Sequence, residues 1–380
     1  MSGQRGVALE ALRRYDVAPQ KVTLAAESFN SIFRVATASA VYALRVGSAV
    51  QIHPEGTSAV EVAWHHRLRE QGVYVPAVVA NLGGEFATLV PDGGAEHGSR
   101  TCVLFEWVAG RSLRTCLTRR RAVALGRLSA RLQRHAVGWS LSGAGDVLRA
   151  DRVLYWRLPD KLRVAGARFG FGTLFADALA RAQSAVDSLW RSPPHPPRLL
   201  HGDLTPANVI VSPPSGLVPI DFQDTVRGFE VQDLSITVAA LRRWPDGGRL
   251  VDAFRSGYGE CRAWPEVSPA LFESLIIARD LHQMNLTLNM TDIGGLERYV
   301  AGHAERVRAW MRRPAGLQPG QRGRRPPTPA RAAGCLPSAP WVSGCLAGAS
   351  GTAGTRQSRQ IRTVVHRRKR YLHATWNDRM

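Results

Sequence analysis

The chain has 380 residues, 44% hydrophobic and 21% charged, enough apolar material for two domains or for one large domain with a tail. No uninterrupted apolar run approaches the ~18 residues that a bilayer span needs, and five scattered cysteines without a CxxC or Cys/His cluster argue against a disulfide framework or a structural zinc site. The net charge of +20 would point to nucleic acid if evenly spread, but residues 312–380 carry 14 Lys+Arg against one acid, leaving residues 1–311 at only +7.

The N-terminus has no apolar signal-peptide core and reads as an amphipathic helix near residues 7–15, so cytoplasmic residence is expected. Three alternating segments follow, Val22–Ala26, Ile32–Thr37 and Val41–Val46, which form an antiparallel meander. Helical periodicity covers residues 58–71 and stops at Gly72. Strand-like runs at 77–81 and 86–90 precede the apolar stretch 101–107, so residues 1–107 read as a small sheet with one helix laid on it. Helices then dominate, at 112–136, 172–190, 231–243, 249–261, 268–289 and 295–312, while 138–171 reads as irregular. Short apolar strands at 198–200, 209–212 and 217–220 interrupt them. Residues 315–380 are rich in Gly, Pro, Ala, Ser and Arg, with no acid from Arg306 through Asn377, and read as disordered or non-native sequence. The expected organisation is therefore an α+β chain with an N-terminal lobe (1–107), a helical lobe (108–314) and a basic tail (315–380).

The short strands bracket the most informative residues, His201-Gly202-Asp203-Leu204-Thr205-Pro206-Ala207-Asn208 and Ile220-Asp221-Phe222. A carboxylate follows a buried strand, an amide comes five residues later, and a second carboxylate ends the next hairpin. Phosphoryl transfer needs such a set, one group to orient the attacking hydroxyl and take its proton, and oxygen ligands to hold a cation against the phosphates. Hard Mg²⁺ prefers carboxylate and amide oxygens and few protein ligands. HGDxxxxN followed by IDF resembles the aminoglycoside phosphotransferase family, which includes choline, homoserine and fructosamine kinases. Protein kinases are similar too, with arginine where Gly202 stands.

The resemblance covers roughly residues 20–310 and implies a protein-kinase-like bilobal fold, with an N-terminal antiparallel sheet lobe and a mainly helical C-terminal lobe. It implies Asp203 as catalytic base, Asn208 and Asp221 as Mg²⁺ ligands, and ATP or GTP as co-substrate. Arg45 is similar in position to the cation that contacts nucleotide phosphates, and Glu61 to its ion-pair partner; the alternative is two solvated charges. Ser28 and Asn30 lie where the family has its phosphate-covering loop, although this loop has no glycine and a plain hairpin turn competes. Glu106 and Trp107 fall in the segment linking the lobes, whose backbone would meet the adenine edge; Trp107 also fits a core aromatic. His201 reads as a loop-pinning side chain, Asp233 as a bracing carboxylate, and Asp224 as either a metal neighbour or a loop acceptor. His282, Asn285 and Asn289 make one polar stripe on a long helix, facing either the acceptor or solvent.

The expected partner is a small hydroxylated molecule, a metabolite or an aminoglycoside-type antibiotic. No membrane partner is expected, and nucleic acid could be met only through the tail. A nucleotide-binding pseudokinase is the competing reading, supported by the glycine-free loop and by Arg45 in place of lysine.

Overall fold

A computed structural model describes residues 2–95, 98–139, 147–213, 215–291 and 295–313. All of them fall in one contact unit, Met1–Pro327, and the tail expected from 315 lies outside the described residues. The meander forms as the alternation dictates. Strands β1 (Lys21–Glu27), β2 (Ser31–Ala36) and β3 (Val41–Val46) pair antiparallel in chain order, and β6 (Ser99–Glu106) adds beside β3. Two short strands, β4 (Val78–Val79) and β5 (Thr88–Pro91), also pair with β6. The strand expected at 77–81 is cut short because Asn81 turns the chain, its Oδ1 accepting the N–H groups of Gly83 and Glu85 at 2.9 and 3.0 Å.

The period of two sorts the sheet's faces. Leu44, Val46, Cys102 and Leu104 pack under α1 (Ser2–Leu12) through Val7, Ala8, Ala11 and Leu12. Val103 packs on the opposite face with Val62 of α2 (Thr57–Glu70). Arg45 pairs with Val103 in register, which places it on the α2 side.

A helix expected from Ser112 starts later. Arg111–Ser112 forms β7 against the hairpin strand β9 (Val209–Ser212), and a 3-10 turn occupies Leu113–Thr115. Helix α3 (Arg119–His135) begins only where Thr118 caps it, its side chain accepting from the Arg121 N–H at 3.3 Å. The remaining helices share one apolar core: α5 (Leu174–Arg191), α6 (Glu230–Leu241), α7 (Gly247–Gly259), α8 (Pro269–Met290) and α9 (Glu297–Met311). Glycines let α3 and α7 touch backbone to backbone. A Cβ on Gly126 would lie 2.0 Å from the Phe254 carbonyl oxygen, and one on Gly257 would lie 1.9 Å from that of Val123.

Two elements escape periodicity. A short helix, α4 (Leu162–Arg168), stands inside the segment expected to be irregular, and β8 (Arg198–Leu200) pairs with the three-residue β11 (Val226–Gly228). That pairing brackets residues 201–225, and the hairpin of β9 with β10 (Gly216–Pro219) projects between them.

Candidate active site

Three turns between β8 and β11 carry the motif residues. Gly202 and Asp203 follow β8 after His201. Gly202 sits at φ +78°, where a Cβ would lie 2.0 Å from the carbonyl oxygen of Asp224, so no side chain fits between the two loops. His201 is buried and pins the turn from both ring nitrogens. Its Nδ1 accepts the Asp203 N–H at 3.3 Å, which leaves Nε2–H to donate to the Ile220 carbonyl at 3.1 Å. Burial lowers its pKa to about 4, so it stays neutral and structural. Asp233 of α6 braces the same turn by accepting the Gly202 N–H at 3.0 Å.

Asp203 is gripped from two sides. Asn208, at the end of the 3-10 turn Pro206–Asn208, donates from Nδ2 to Asp203 Oδ2 at 2.7 Å and to its carbonyl at 3.0 Å. Arg279 of α8 donates from Nη2 to Oδ1 at 2.6 Å. Because Asn208 spends its amide nitrogen on Asp203, its carbonyl oxygen is the atom left for a cation. The Ile220 N–H donates to the Asn208 backbone carbonyl at 2.9 Å, which holds the start of Asp221 beside this turn. Asp221 itself has φ 64°, the single positive φ among described non-glycine residues, and its side chain is 37% exposed. A strained backbone that presents a partly exposed carboxylate is typical of functional turns.

Across the cleft, Arg45 and Glu61 form a bidentate pair, Nη1 donating to Oε1 at 2.8 Å and Nη2 to Oε2. Both are buried; burial works against their charges, and each keeps the other ionised. Arg45 Nη1 also lies 3.5 Å from Asp221 Oδ1, so the guanidinium reaches the Asp221 turn. Asn30 is buried and donates from Nδ2 to Gln223 Oε1 at 2.8 Å, while Ser28 is exposed and its N–H donates to the Asn30 carbonyl at 2.9 Å. His53, in the link from β3 to α2, approaches Asp224 Oδ1 at 2.8 Å. Glu106 turns its side chain to Tyr74 (2.8 Å) and to the Ala77 N–H (3.2 Å), and its own N–H donates to the Ala77 carbonyl. Trp107 lies under the Arg34 guanidinium at 5.7 Å.

The site is short of positive charge. Asp203 and Asp221 are both raised above the ordinary 3.8, by partial desolvation first and by neighbouring carboxylates, against the pull of Arg279 and Arg45 respectively. Burial likewise raises Asp233 to about 6, whereas at Asp224 the contact with His53 overcomes burial and lowers the pKa. Such crowding suits a cation. Among the described residues no group of three or more His, Cys, Asp or Glu is placed to hold a metal. One carboxylate and one amide oxygen, completed by phosphates and water, is instead the donor set that Mg²⁺ favours.

His53 was not legible as a site residue, and Arg279 was visible only as a charge near the polar stripe, with Asp280 beside it inside the run 275–281, where burial demands partners. The polar stripe on α8 does not face solvent. His282 and Asn285 are buried and bind the carbonyls of Val153 and Pro159 at 2.8 and 3.0 Å, and Asn289 binds Pro159 at 3.0 Å. The stripe therefore clamps the 153–161 segment, which brings Tyr155 and Trp156 against His282 at ring distances of 4.1 and 3.9 Å.

The sheet and the helix bundle are shared with known proteins. A family model described as a phosphotransferase enzyme family matches residues 22–270, from β1 into the first turn of α8. Among solved structures the chain is similar to a microcompartment-associated aminopropanol kinase, with 25% identity, TM-score 0.64, and 81% of this chain and 97% of that one covered. An amicoumacin kinase in complex with AMP-PNP, Ca²⁺ and Ami shares the fold at 16% identity and TM-score 0.65, over 80% and 92% of the two chains. Spectinomycin phosphotransferase APH(9)-Ia, in complex with ADP and spectinomycin, shares it at 13% identity and TM-score 0.51, over 82% and 95%. No curated protein matches. No helix of the described residues is long and apolar enough to cross a membrane. With the match running through both the sheet and the HGDxxxxN and IDF turns, the chain belongs to the phosphotransferase enzyme family and is an ATP-dependent small-molecule kinase.

Proposed function

We propose that this kinase transfers the γ-phosphate of ATP or GTP to a hydroxyl of a small acceptor, with Asp203 receiving the hydroxyl proton. The observation that carries the reading is the double grip on the Asp203 carboxylate by Asn208 and Arg279, which aims a partly exposed base at one point of the cleft. Residues 1–107 form the nucleotide lobe and residues 108–314 the catalytic and acceptor lobe. Arg45, oriented by Glu61, contacts the phosphates, and Ser28 and Asn30 flank them. The Glu106–Trp107 backbone meets the base edge. Asn208 and Asp221 would hold Mg²⁺, which would neutralise charge on the transferring phosphate. The chain's own groups then do the rest. Asp203 orients the acceptor O–H and takes its proton as the oxygen attacks the γ-phosphorus, and the nucleoside diphosphate leaves.

The acceptor lies on the α8 side of Asp203, beside Tyr155, Trp156 and His282. Two buried atoms there, Trp156 Nε1 and His282 Nε2, have no hydrogen-bond partner among the described residues, and a polar group of the acceptor would supply one. Amino alcohols such as aminopropanol, other metabolite alcohols and aminoglycosides are the acceptors to compare. Incubating the protein with ATP, Mg²⁺ and this panel should yield a phosphorylated product from at least one class. Tight nucleotide binding with no transfer to any of them would favour the pseudokinase reading.

A further inference from the structure

Arg279 lies on α8 beyond residue 270, where the family match ends, yet its guanidinium touches the proposed base. Its side chain is 8% exposed, so the contact is made largely out of solvent. Three neighbours fix its place. Asp203 Oδ1 accepts from Nη2 at 2.6 Å, and the Trp156 ring lies under the guanidinium carbon at 5.8 Å. The Gln283 amide, oriented with oxygen toward the donors, accepts from Nη2, from Nε at 3.2 Å and from Nη1 at 3.1 Å. Arg279 therefore approaches Asp203 from the helix side while Asn208 approaches the other carboxylate oxygen from the loop side.

We infer that Arg279 is a positioning residue for phosphoryl transfer, locking the plane of the Asp203 carboxylate so that its remaining lone pairs meet the acceptor hydroxyl. Two donors on opposite oxygens remove rotation about the Cβ–Cγ bond, which one donor alone would leave free. A planar guanidinium suits this task because its fork fixes direction as well as charge, whereas a lysine ammonium supplies charge alone. The inference rests on the reading of Asp203 as base. A misplacement of such a group by about 1 Å costs on the order of 10²-fold in rate.

The test compares Arg279→Ala, Arg279→Lys and Asp203→Asn with the wild type on one accepted substrate, measuring kcat, acceptor KM, affinity for a fluorescent ATP analogue, and thermal melting. Arg279→Ala should lose about 10²-fold in kcat, with acceptor KM and nucleotide affinity within about threefold. Added guanidinium ion should restore part of the lost kcat in Arg279→Ala and none in Asp203→Asn. Arg279→Lys, which keeps the buried charge and so guards against a misfolded alanine variant, should remain well below wild type in kcat. The inference is overturned if Arg279→Lys matches wild-type kcat. It is equally overturned if Arg279→Ala raises acceptor KM at unchanged kcat, since Arg279 would then bind the acceptor. Wild-type turnover by Asp203→Asn would instead remove the base assignment itself, a separate failure.

Discussion

The molecule buries two arginines at its cleft, and they are used in opposite ways. Arg45 has a dedicated partner, Glu61, which takes both of its terminal nitrogens, and it reaches the motif turns only through a 3.5 Å approach to Asp221. Arg279 has no such acid of its own; the carboxylate it holds is Asp203. A cation satisfied by a structural acid can be offered to a substrate without moving. A cation satisfied by a proposed catalytic acid instead governs where that acid points. Stability and activity should therefore come apart at the two sites.

The largest stability effect is expected at the first pair. Glu61→Gln leaves the Arg45 charge buried and half-partnered, and breaking such a pair costs about 3–5 kcal/mol. Chemical denaturation should show this loss, whereas Arg279→Lys should lose far less stability and more kcat. Equal stability losses at the two positions would erase the distinction. Next comes Gly202→Ala, whose new Cβ would meet the Asp224 carbonyl at 2.0 Å. The turn must shift, carrying Asp203 with it, so kcat should fall by about 10²-fold while the Arg45 side keeps its nucleotide affinity. If nucleotide affinity falls in parallel, the two sides are not separable.

A pH effect sharpens the contrast on the helix that carries Arg279. The neighbouring Asp280 is buried, which would raise its pKa, but Arg306, His303 and Arg243 outweigh burial and lower it from the ordinary 3.8. A depressed folded-state pKa contributes stability in full above the unfolded value, and that contribution is lost as pH falls through the lower folded value. Asp280→Asn should therefore reduce stability at neutral pH and flatten its fall below pH 4. An unchanged acid limb in the melting curves would show that Asp280 does not anchor the helix. The smallest effect is expected from Asn30→Ala, which removes one neutral hydrogen bond to Gln223, worth about 0.5–1.5 kcal/mol. Its nucleotide KM should rise several-fold, and an unchanged KM would confine Asn30 to tying the loop to Gln223.

The two arginines also mark how far the sequence could be read. The meander, the α2 helix and the Arg45–Glu61 pair were legible because alternation, helical period and spacing are local signals. The HGDxxxxN and IDF turns were legible because their chemistry is compressed into 21 residues, from His201 to Asp221. The Arg279–Asp203 contact was not, since it spans 76 positions, and local pattern says nothing about which helix returns to which loop. His53 was hidden for the same reason, 171 positions from Asp224. The polar stripe at 282–289 was visible, but whether it met solvent or protein depended on the 153–161 segment, whose own pattern is irregular. Helix α4 follows that segment directly, at seven residues too short to show a period.

The central claim is that Asp203 is the base for transfer to a small hydroxyl, and Asp203→Asn tests it most directly. The variant keeps the size of the side chain and its contact with α8, so fold and nucleotide binding should survive. Turnover of an accepted substrate with ATP and Mg²⁺ should drop by about 10²–10⁴-fold, the usual loss on removing a positioned base. A folded, nucleotide-binding Asp203→Asn protein that phosphorylates the substrate at the wild-type rate would contradict the account.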